Sequence, residues 1–99
     1  SLSAKARRIQ IAYLAALLSD KKRLILMGDF NCDLLAPEMS RLFQSTALEI
    51  PGLALPTFPS WDAKRPIDHI LVGGLKSFNY QTHVAAGSDH LAIALDIEI

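Results

Sequence analysis

The chain has 99 residues, 51% of them hydrophobic, and ten basic residues balance ten acidic ones. This length is enough for one domain with a buried core, the composition excludes disorder, and the balanced charge provides no overall attraction to nucleic acid or anionic membranes. No apolar run is long enough for a transmembrane helix, and the single cysteine, Cys32, cannot form an internal disulfide, which fits a reducing, cytoplasmic environment.

The chain begins with a predicted helix over residues 4–18, with Ser3 as its N-cap. Apolar residues recur there at helical spacing, and we expect one face to contact the core. The residues of that face are Ile11, Leu14, Leu17 and Leu18. Residues 24–27 are four consecutive apolar residues, which predict a strand buried on both faces. Pro37 then begins a short predicted helix that runs to about Gln44.

The second half of the chain predicts strands. Residues 45–61 contain three prolines and indicate a loop or an irregular edge segment. Residues 67–72 predict a second apolar strand, which two glycines end, and residues 75–85 alternate as an antiparallel strand does. Residues 91–99 show the strictest period of two. The expected fold class is α/β in the α+β sense, a mainly antiparallel sheet with one long helix packed on it.

Polar side chains stand at the boundary between a loop and a strand in three places. Asp29 and Asn31 follow the first strand, Asp68 begins the second, and Asp89 and His90 precede the last. If these strands share a sheet, the polar groups converge at one edge and form a hydrolytic site. Carboxylates are natural ligands of Mg²⁺, and a histidine beside them can stabilise a phosphoryl oxygen.

Four segments of the chain, taken together and in order, resemble a known family. They are Gly28-Asp29-Phe30-Asn31, Thr57-Phe58-Pro59-Ser60-Trp61, Ile67-Asp68-His69-Ile70-Leu71-Val72 and Ser88-Asp89-His90-Leu91. The order and spacing are similar to those of the endonuclease/exonuclease/phosphatase family, the DNase I-like Mg²⁺-dependent phosphoesterases. The resemblance extends over the whole chain.

The resemblance implies a role for each matching residue. Asp29 is similar to the general base that deprotonates the attacking water, and Asn31 to the residue that hydrogen-bonds the phosphate. Asp68 resembles the carboxylate that orients a catalytic histidine, and His90 resembles that histidine, which contacts the scissile phosphate. Asp89 resembles a metal-site carboxylate, and the implied cofactor is Mg²⁺ or Mn²⁺.

The resemblance also implies elements that this sequence lacks. Complete members have an N-terminal half with an Asn and a Glu that bind the metal, and nothing in residues 1–99 matches them. We therefore expect residues 1–99 to be the C-terminal portion of a four-layered sandwich, with weak or no metal binding and no appreciable turnover alone. The sheet face that would meet the missing half includes Phe78, Ile93 and Leu95, and we expect the chain to form a homodimer through it.

The implied reaction is hydrolysis of a phosphodiester or phosphomonoester. Nucleic acid, a nucleotide, and a phospholipid or inositol phosphate stay open as substrates, and the alternative function is a non-catalytic association module. A zinc site with Cys32, His69, His83 and His90 lacks the usual ligand spacing. We assign no chemistry to His69, and we expect Trp61 to pack in the core or at an edge rather than to stack on a ligand.

Overall fold

A computed structural model describes residues 3–99 of the chain. It has an α+β architecture with two helices and four strands, and one 3-10 turn precedes the second helix. In chain order the elements are α1 (Ala4–Leu18), β1 (Leu24–Asp29), a 3-10 turn (Pro37–Met39), α2 (Ser40–Ser45), β2 (Asp68–Gly73), β3 (Lys76–His83) and β4 (Ala92–Glu98). No helix within residues 3–99 has the length and apolar character needed to cross a membrane.

Helix α1 has the predicted bounds and the predicted N-cap. The Ser3 hydroxyl accepts a hydrogen bond of 3.1 Å from the Ala6 backbone N–H, which satisfies one of the unpaired donors of the first turn. Ile11 is buried as expected, but Leu17 is 52% exposed, so its predicted place in the core was wrong. The buried stripe runs through Ala15 instead, because this small side chain lets the helix approach the core closely.

The strands form two antiparallel pairs, β1 with β2 and β3 with β4, so the expected single sheet was wrong. The turn after β2 includes Gly74, which has φ +65°, and it directs β3 away from β2. A register shift within β3 lies beside Asn79, which has φ +57°. The hydroxyl of Tyr80 accepts a 3.3 Å hydrogen bond from the backbone N–H of Ile70, which joins β3 to β2.

Strand β1 is buried on one face only, so the prediction of burial on both faces was wrong. Leu24 and Leu26 pack against the core beneath the helices, whereas Ile25 and Met27 are 43% and 62% exposed. The second sheet approaches the first through β4 and β2. The exposed face of β1 is therefore not covered by another layer of residues 3–99.

The core lies between the helices and the first sheet. Met39, Leu42 and Leu71 are completely buried there. The prediction of a helix beginning at Pro37 is confirmed, since the 3-10 turn continues directly into α2. The fold therefore has two helices, the long α1 and the short α2, whereas the expected fold class included only the long one. The prolines predicted an irregular segment over residues 45–61, and the structure extends it over residues 46–67, so that β2 begins one residue later than predicted.

Candidate active site

The end of β1 presents the first two polar residues of the site. The Asp29 Oδ1 atom accepts a 2.8 Å hydrogen bond from the backbone N–H of Asn31. Asn31 has φ +56°, a left-handed conformation that asparagine adopts more readily than most residues. The backbone N–H of Phe30 also donates to the Ile67 carbonyl at 2.9 Å, so this turn is tied to the start of β2. The second oxygen of Asp29 remains available for other partners.

The register between β1 and β2 brings the second carboxylate to the same place. Asp68 is the direct cross-strand partner of Asp29, so the two side chains emerge on the same face of the sheet. The Oδ2 atom of Asp68 accepts two hydrogen bonds, one of 2.5 Å from the Thr57 hydroxyl and one of 2.6 Å from His90 Nδ1. Thr57 is completely buried, and the Asp68 side chain is only 14% exposed. Asp68 is therefore held from two sides.

The turn that carries His90 is fixed by the irregular segment. The backbone N–H of Ser60 donates to the Asp89 carbonyl at 2.7 Å, and the N–H of Leu91 donates to the Thr57 carbonyl at 2.8 Å. The N–H of His90 itself donates to the Ser88 hydroxyl at 3.1 Å. Ser88 therefore stabilises the turn, and the imidazole ring is directed towards Asp68.

The electrostatics of the site centre on the imidazole of His90. Its hydrogen bond to Asp68 is the largest effect and raises the pKa of His90 above the ordinary histidine value. Burial, the next largest effect, lowers this pKa, and the charges of Asp68, Asp29 and Asp89 raise it. The Nε2 atom lies 3.9 Å from Asp29 Oδ2 and 3.8 Å from Asp89 Oδ1. These distances exceed a hydrogen bond. The second nitrogen of the ring therefore faces two carboxylates across a short gap.

Three of the five predicted site residues form one compact group. Single ligand atoms of Asp29, Asp68 and His90 lie within 4.8 Å of one another, and within residues 3–99 this is the one such group of three or more His, Cys, Asp or Glu side chains. Asn31 lies beside the group through its bond to Asp29. Asp89, the predicted metal ligand, lies outside the group, and its side chain is 65% exposed.

The carboxylates of Asp29, Asp68 and Asp89 provide oxygen atoms of the kind that bind a divalent cation such as Mg²⁺, which prefers carboxylates and retains several waters. Asp29 and Asp89 have exposed carboxylates, whereas Asp68 already accepts two hydrogen bonds. The group contains neither Cys32 nor His83, so the arrangement gives no support to a zinc site built from them.

His69, for which the sequence indicates no chemistry, is completely buried. Its Nε2 atom lies 2.8 Å from the Cys32 carbonyl oxygen, and its ring meets that of Phe30 edge to face at 5.4 Å. Its Nδ1 atom has no hydrogen-bond partner within residues 3–99. Burial lowers the pKa of His69, which favours the neutral ring, and it raises the pKa of the Cys32 thiol. The ring thus supports the loop that follows Asn31.

Thr57 and Phe58 belong to one of the four motif segments, but the sequence indicates no role for either side chain. Thr57 binds Asp68, and the Phe58 ring packs against the His90 ring with their centroids 5.0 Å apart. Sequence spacing indicated the segment but not its contacts, because a proline-rich segment has no regular periodicity. Trp61, expected to pack, is 76% exposed, so that prediction was wrong.

Comparison with known proteins agrees with the motifs. The model of the Endonuclease/Exonuclease/phosphatase family matches residues 2–90 of this chain. No curated protein and no solved structure matches the chain. The match includes the first three segments and the fourth as far as His90.

Proposed function

Since the chain belongs to the endonuclease/exonuclease/phosphatase family, we propose that it is the C-terminal part of a Mg²⁺-dependent phosphoesterase domain with a DNase I-like fold. The observation that best supports the proposal is the compact group of Asp29, Asp68 and His90. These residues come from three separate segments, and a cluster of titratable groups at the end of a sheet is typical of a catalytic centre.

Asp29 is the proposed general base of the reaction. Its Oδ1 atom is occupied by the Asn31 N–H, so the carboxylate is held in one orientation. Its Oδ2 atom faces the gap next to His90 and is free to accept a proton from a water molecule. A base held in this way removes the proton as the water oxygen attacks phosphorus, which typically contributes about 10²–10⁴-fold to a rate.

His90 and Asn31 are the proposed stabilisers of the phosphate. Because the Asp68 contact raises the pKa of His90, the ring carries a proton on Nε2 over a wider range of pH than an isolated histidine does. A protonated Nε2 can donate to a phosphoryl oxygen as negative charge develops on it. The amide of Asn31 adds a neutral donor beside it. Asp68 acts through His90, and Thr57 acts through Asp68.

In this proposal, a divalent cation would be held by Asp89, whose carboxylate is exposed. When bound, such an ion supplies positive charge that neutralises the phosphate oxygens. The metal-binding Asn and Glu that the family resemblance implies have no match in residues 1–99. We therefore propose that these residues alone bind Mg²⁺ weakly and that turnover requires the remainder of the domain.

The proposal is tested by replacing Asp29 with asparagine in the full-length protein. Asp29→Asn retains the size of the side chain and the acceptor for the Asn31 N–H, but it removes the basic oxygen. We expect Mg²⁺-dependent hydrolysis of a phosphodiester to fall by about 10²–10⁴-fold in kcat, with an unchanged unfolding midpoint.

A matched control is Asp20→Asn, because the Asp20 side chain is 77% exposed at the end of α1. This variant should retain full activity. Equal activity of the Asp29→Asn variant and the wild type would contradict the proposed role of Asp29.

A further inference from the structure

Helix α1 has a second apolar face, on the side that points away from the core. Ile9, Tyr13 and Leu17 are 63%, 68% and 52% exposed. Because these residues are four positions apart, they form one row along the helix, which we call the outer row. Ile11 and Ala15, which are buried in the core, lie on the opposite side of the helix. Apolar residues on both sides of a helix are typical of an element that is covered from both sides.

The remainder of the proposed domain does not account for the outer row. That remainder would cover the open faces of the sheets, where Ile25 and Met27 of β1 are exposed. Helix α1 packs on the opposite face of β1, against the core that Leu24 and Leu26 contact, and the outer row points away from this core. The outer row is therefore an additional surface, and its own chemistry must identify the partner.

The charges of the chain are distributed asymmetrically around this helix. Residues 1–28 contain six basic residues and one acidic residue, whereas residues 29–99 contain four basic and nine acidic ones. The single acidic residue, Asp20, lies 3.8 Å from Lys21 in an exposed ion pair, and Arg7 is paired with Glu38. Four other exposed cations form no ion pair within residues 3–99, namely Lys5, Arg8, Lys22 and Arg23. The chain has no net charge, but the segment with the outer row is strongly positive.

The unpaired cations lie at both ends of the outer row. Lys5 is one turn before Ile9, and Lys22 and Arg23 follow the end of the helix. Parallel or antiparallel packing of two α1 helices along their outer rows would bring these like charges together, which disfavours a second copy of the chain as the partner. The partner that fits both features is negatively charged and offers an apolar layer to the outer row.

The surface of an anionic lipid bilayer combines negative charge with an apolar layer directly beneath it. A helix on such a surface buries its apolar side chains at the boundary between headgroups and acyl chains, and anionic lipids attract its basic residues. Tyrosine is enriched at this boundary, because its ring is apolar and its hydroxyl is polar. Lysine and arginine extend their aliphatic stems along the apolar surface while their charged ends reach the lipid phosphates.

We propose that α1 docks the protein on an anionic membrane surface, with the outer row at the headgroup boundary and the flanking cations on the lipid phosphates. The acidic remainder of the chain is repelled by the same surface, which orients the molecule with α1 towards the membrane. The docking is peripheral. It does not depend on the proposed phosphoesterase function, since the outer row and its cations lie outside the group of Asp29, Asp68 and His90.

The test measures co-sedimentation of the full-length protein with lipid vesicles. Vesicles of phosphatidylcholine alone are compared with vesicles in which about a third of the lipid is phosphatidylserine. We expect binding to the anionic vesicles to be about tenfold tighter or more, because several basic residues face the lipid charge. This binding should weaken as the salt concentration rises, since salt screens the lipid charge.

Variants separate the apolar contribution from the charged one. Tyr13→Gln removes the central side chain of the outer row from an exposed position, and it should weaken binding by about tenfold without changing the unfolding midpoint. The double variant of Lys22→Gln and Arg23→Gln should weaken binding to the anionic vesicles by about tenfold or more and leave binding to the neutral ones unchanged. Leu53→Gln and Arg41→Gln are matched controls at exposed positions outside α1, and both should bind as the wild type does.

The membrane surface is refuted if the full-length protein binds neither kind of vesicle, if it binds both equally, or if Tyr13→Gln and the double variant bind as the wild type does. Binding to soluble poly-glutamate but not to vesicles would assign the outer row to an acidic protein instead. A changed oligomeric state of Tyr13→Gln, without vesicle binding by the wild type, would assign it to a second copy of the chain. Either assignment overturns the proposal.

Discussion

Thr57 offers a precise perturbation of the site, because its hydroxyl donates to the same Asp68 oxygen that binds His90. Thr57→Val removes this hydroxyl and nearly preserves the shape of the side chain. The Asp68 carboxylate is 14% exposed and Thr57 is completely buried, so water cannot readily replace the lost donor. The substitution therefore removes a hydrogen bond to a charged acceptor without opening a large cavity.

The magnitude follows from the type of hydrogen bond. A hydrogen bond to a charged group contributes about 1.5–3 kcal/mol to the free energy of unfolding. At about 4 °C per kcal/mol for a domain near this size, the melting temperature should fall by about 6–12 °C. The control Thr57→Ser retains the hydroxyl and loses one methyl group, which should cost about 1 kcal/mol.

The assay is urea unfolding of the three proteins together with an NMR titration of His90. In Thr57→Val, Asp68 has one donor fewer and attracts the imidazolium more strongly, so the pKa of His90 should rise further, whereas Thr57→Ser should leave it unchanged. A valine variant within about 0.5 kcal/mol of the wild type, with an unaltered His90 titration, would refute the reasoning.

Two further predictions concern pH and association. The raised pKa of His90 contributes stability that is complete below about pH 6.5 and is lost as the pH rises through the folded-state pKa, so His90→Gln should destabilise the protein more at about pH 6 than at about pH 8. Urea unfolding at both values checks this, and an equal loss would contradict it. The homodimer was expected through the sheet face with Phe78, Ile93 and Leu95, and Phe78 of β3 is exposed, as are Ile25 and Met27 of β1 in the other sheet. These exposed apolar side chains are the basis for predicting a homodimer or, in the alternative function, an association module. Sedimentation of residues 1–99 should show a dimer that Met27→Lys dissociates and Leu53→Lys, at an 87% exposed position in a loop, does not. A wild-type monomer at high concentration would contradict this prediction.

The elements of this fold were predictable where a single periodicity dominates. Helix α1 and strand β4 follow directly from the spacing of their apolar residues, although α1 also exposes the apolar side chains of Ile9, Tyr13 and Leu17. The four apolar residues 24–27 did not reveal which face of β1 would be covered, since a run without alternation does not distinguish one face from the other. The division into two sheets depends on the turn at Gly74, whose direction the sequence pattern does not specify.

The sequence predicts which residues belong to the candidate site, but not how their side chains contact one another. The motifs indicated Asp29, Asp68 and His90, which the register of β1 with β2 and the loop contacts bring together. The buried contact of Thr57 and the ring contact of Phe58 come from an irregular segment, where side-chain positions depend on long-range hydrogen bonds. Tertiary contacts of this kind have no signature in the local sequence.

The most direct test of the central proposal is the metal dependence of hydrolysis by the full-length protein. Phosphodiester and phosphomonoester substrates, including nucleic acid, nucleotide and inositol phosphate esters, are incubated with the protein in Mg²⁺, in a chelator, and after Mg²⁺ or Mn²⁺ is restored. We predict hydrolysis of at least one class that stops in the chelator and returns with either ion. A folded protein that hydrolyses none of these esters with either ion would contradict the account.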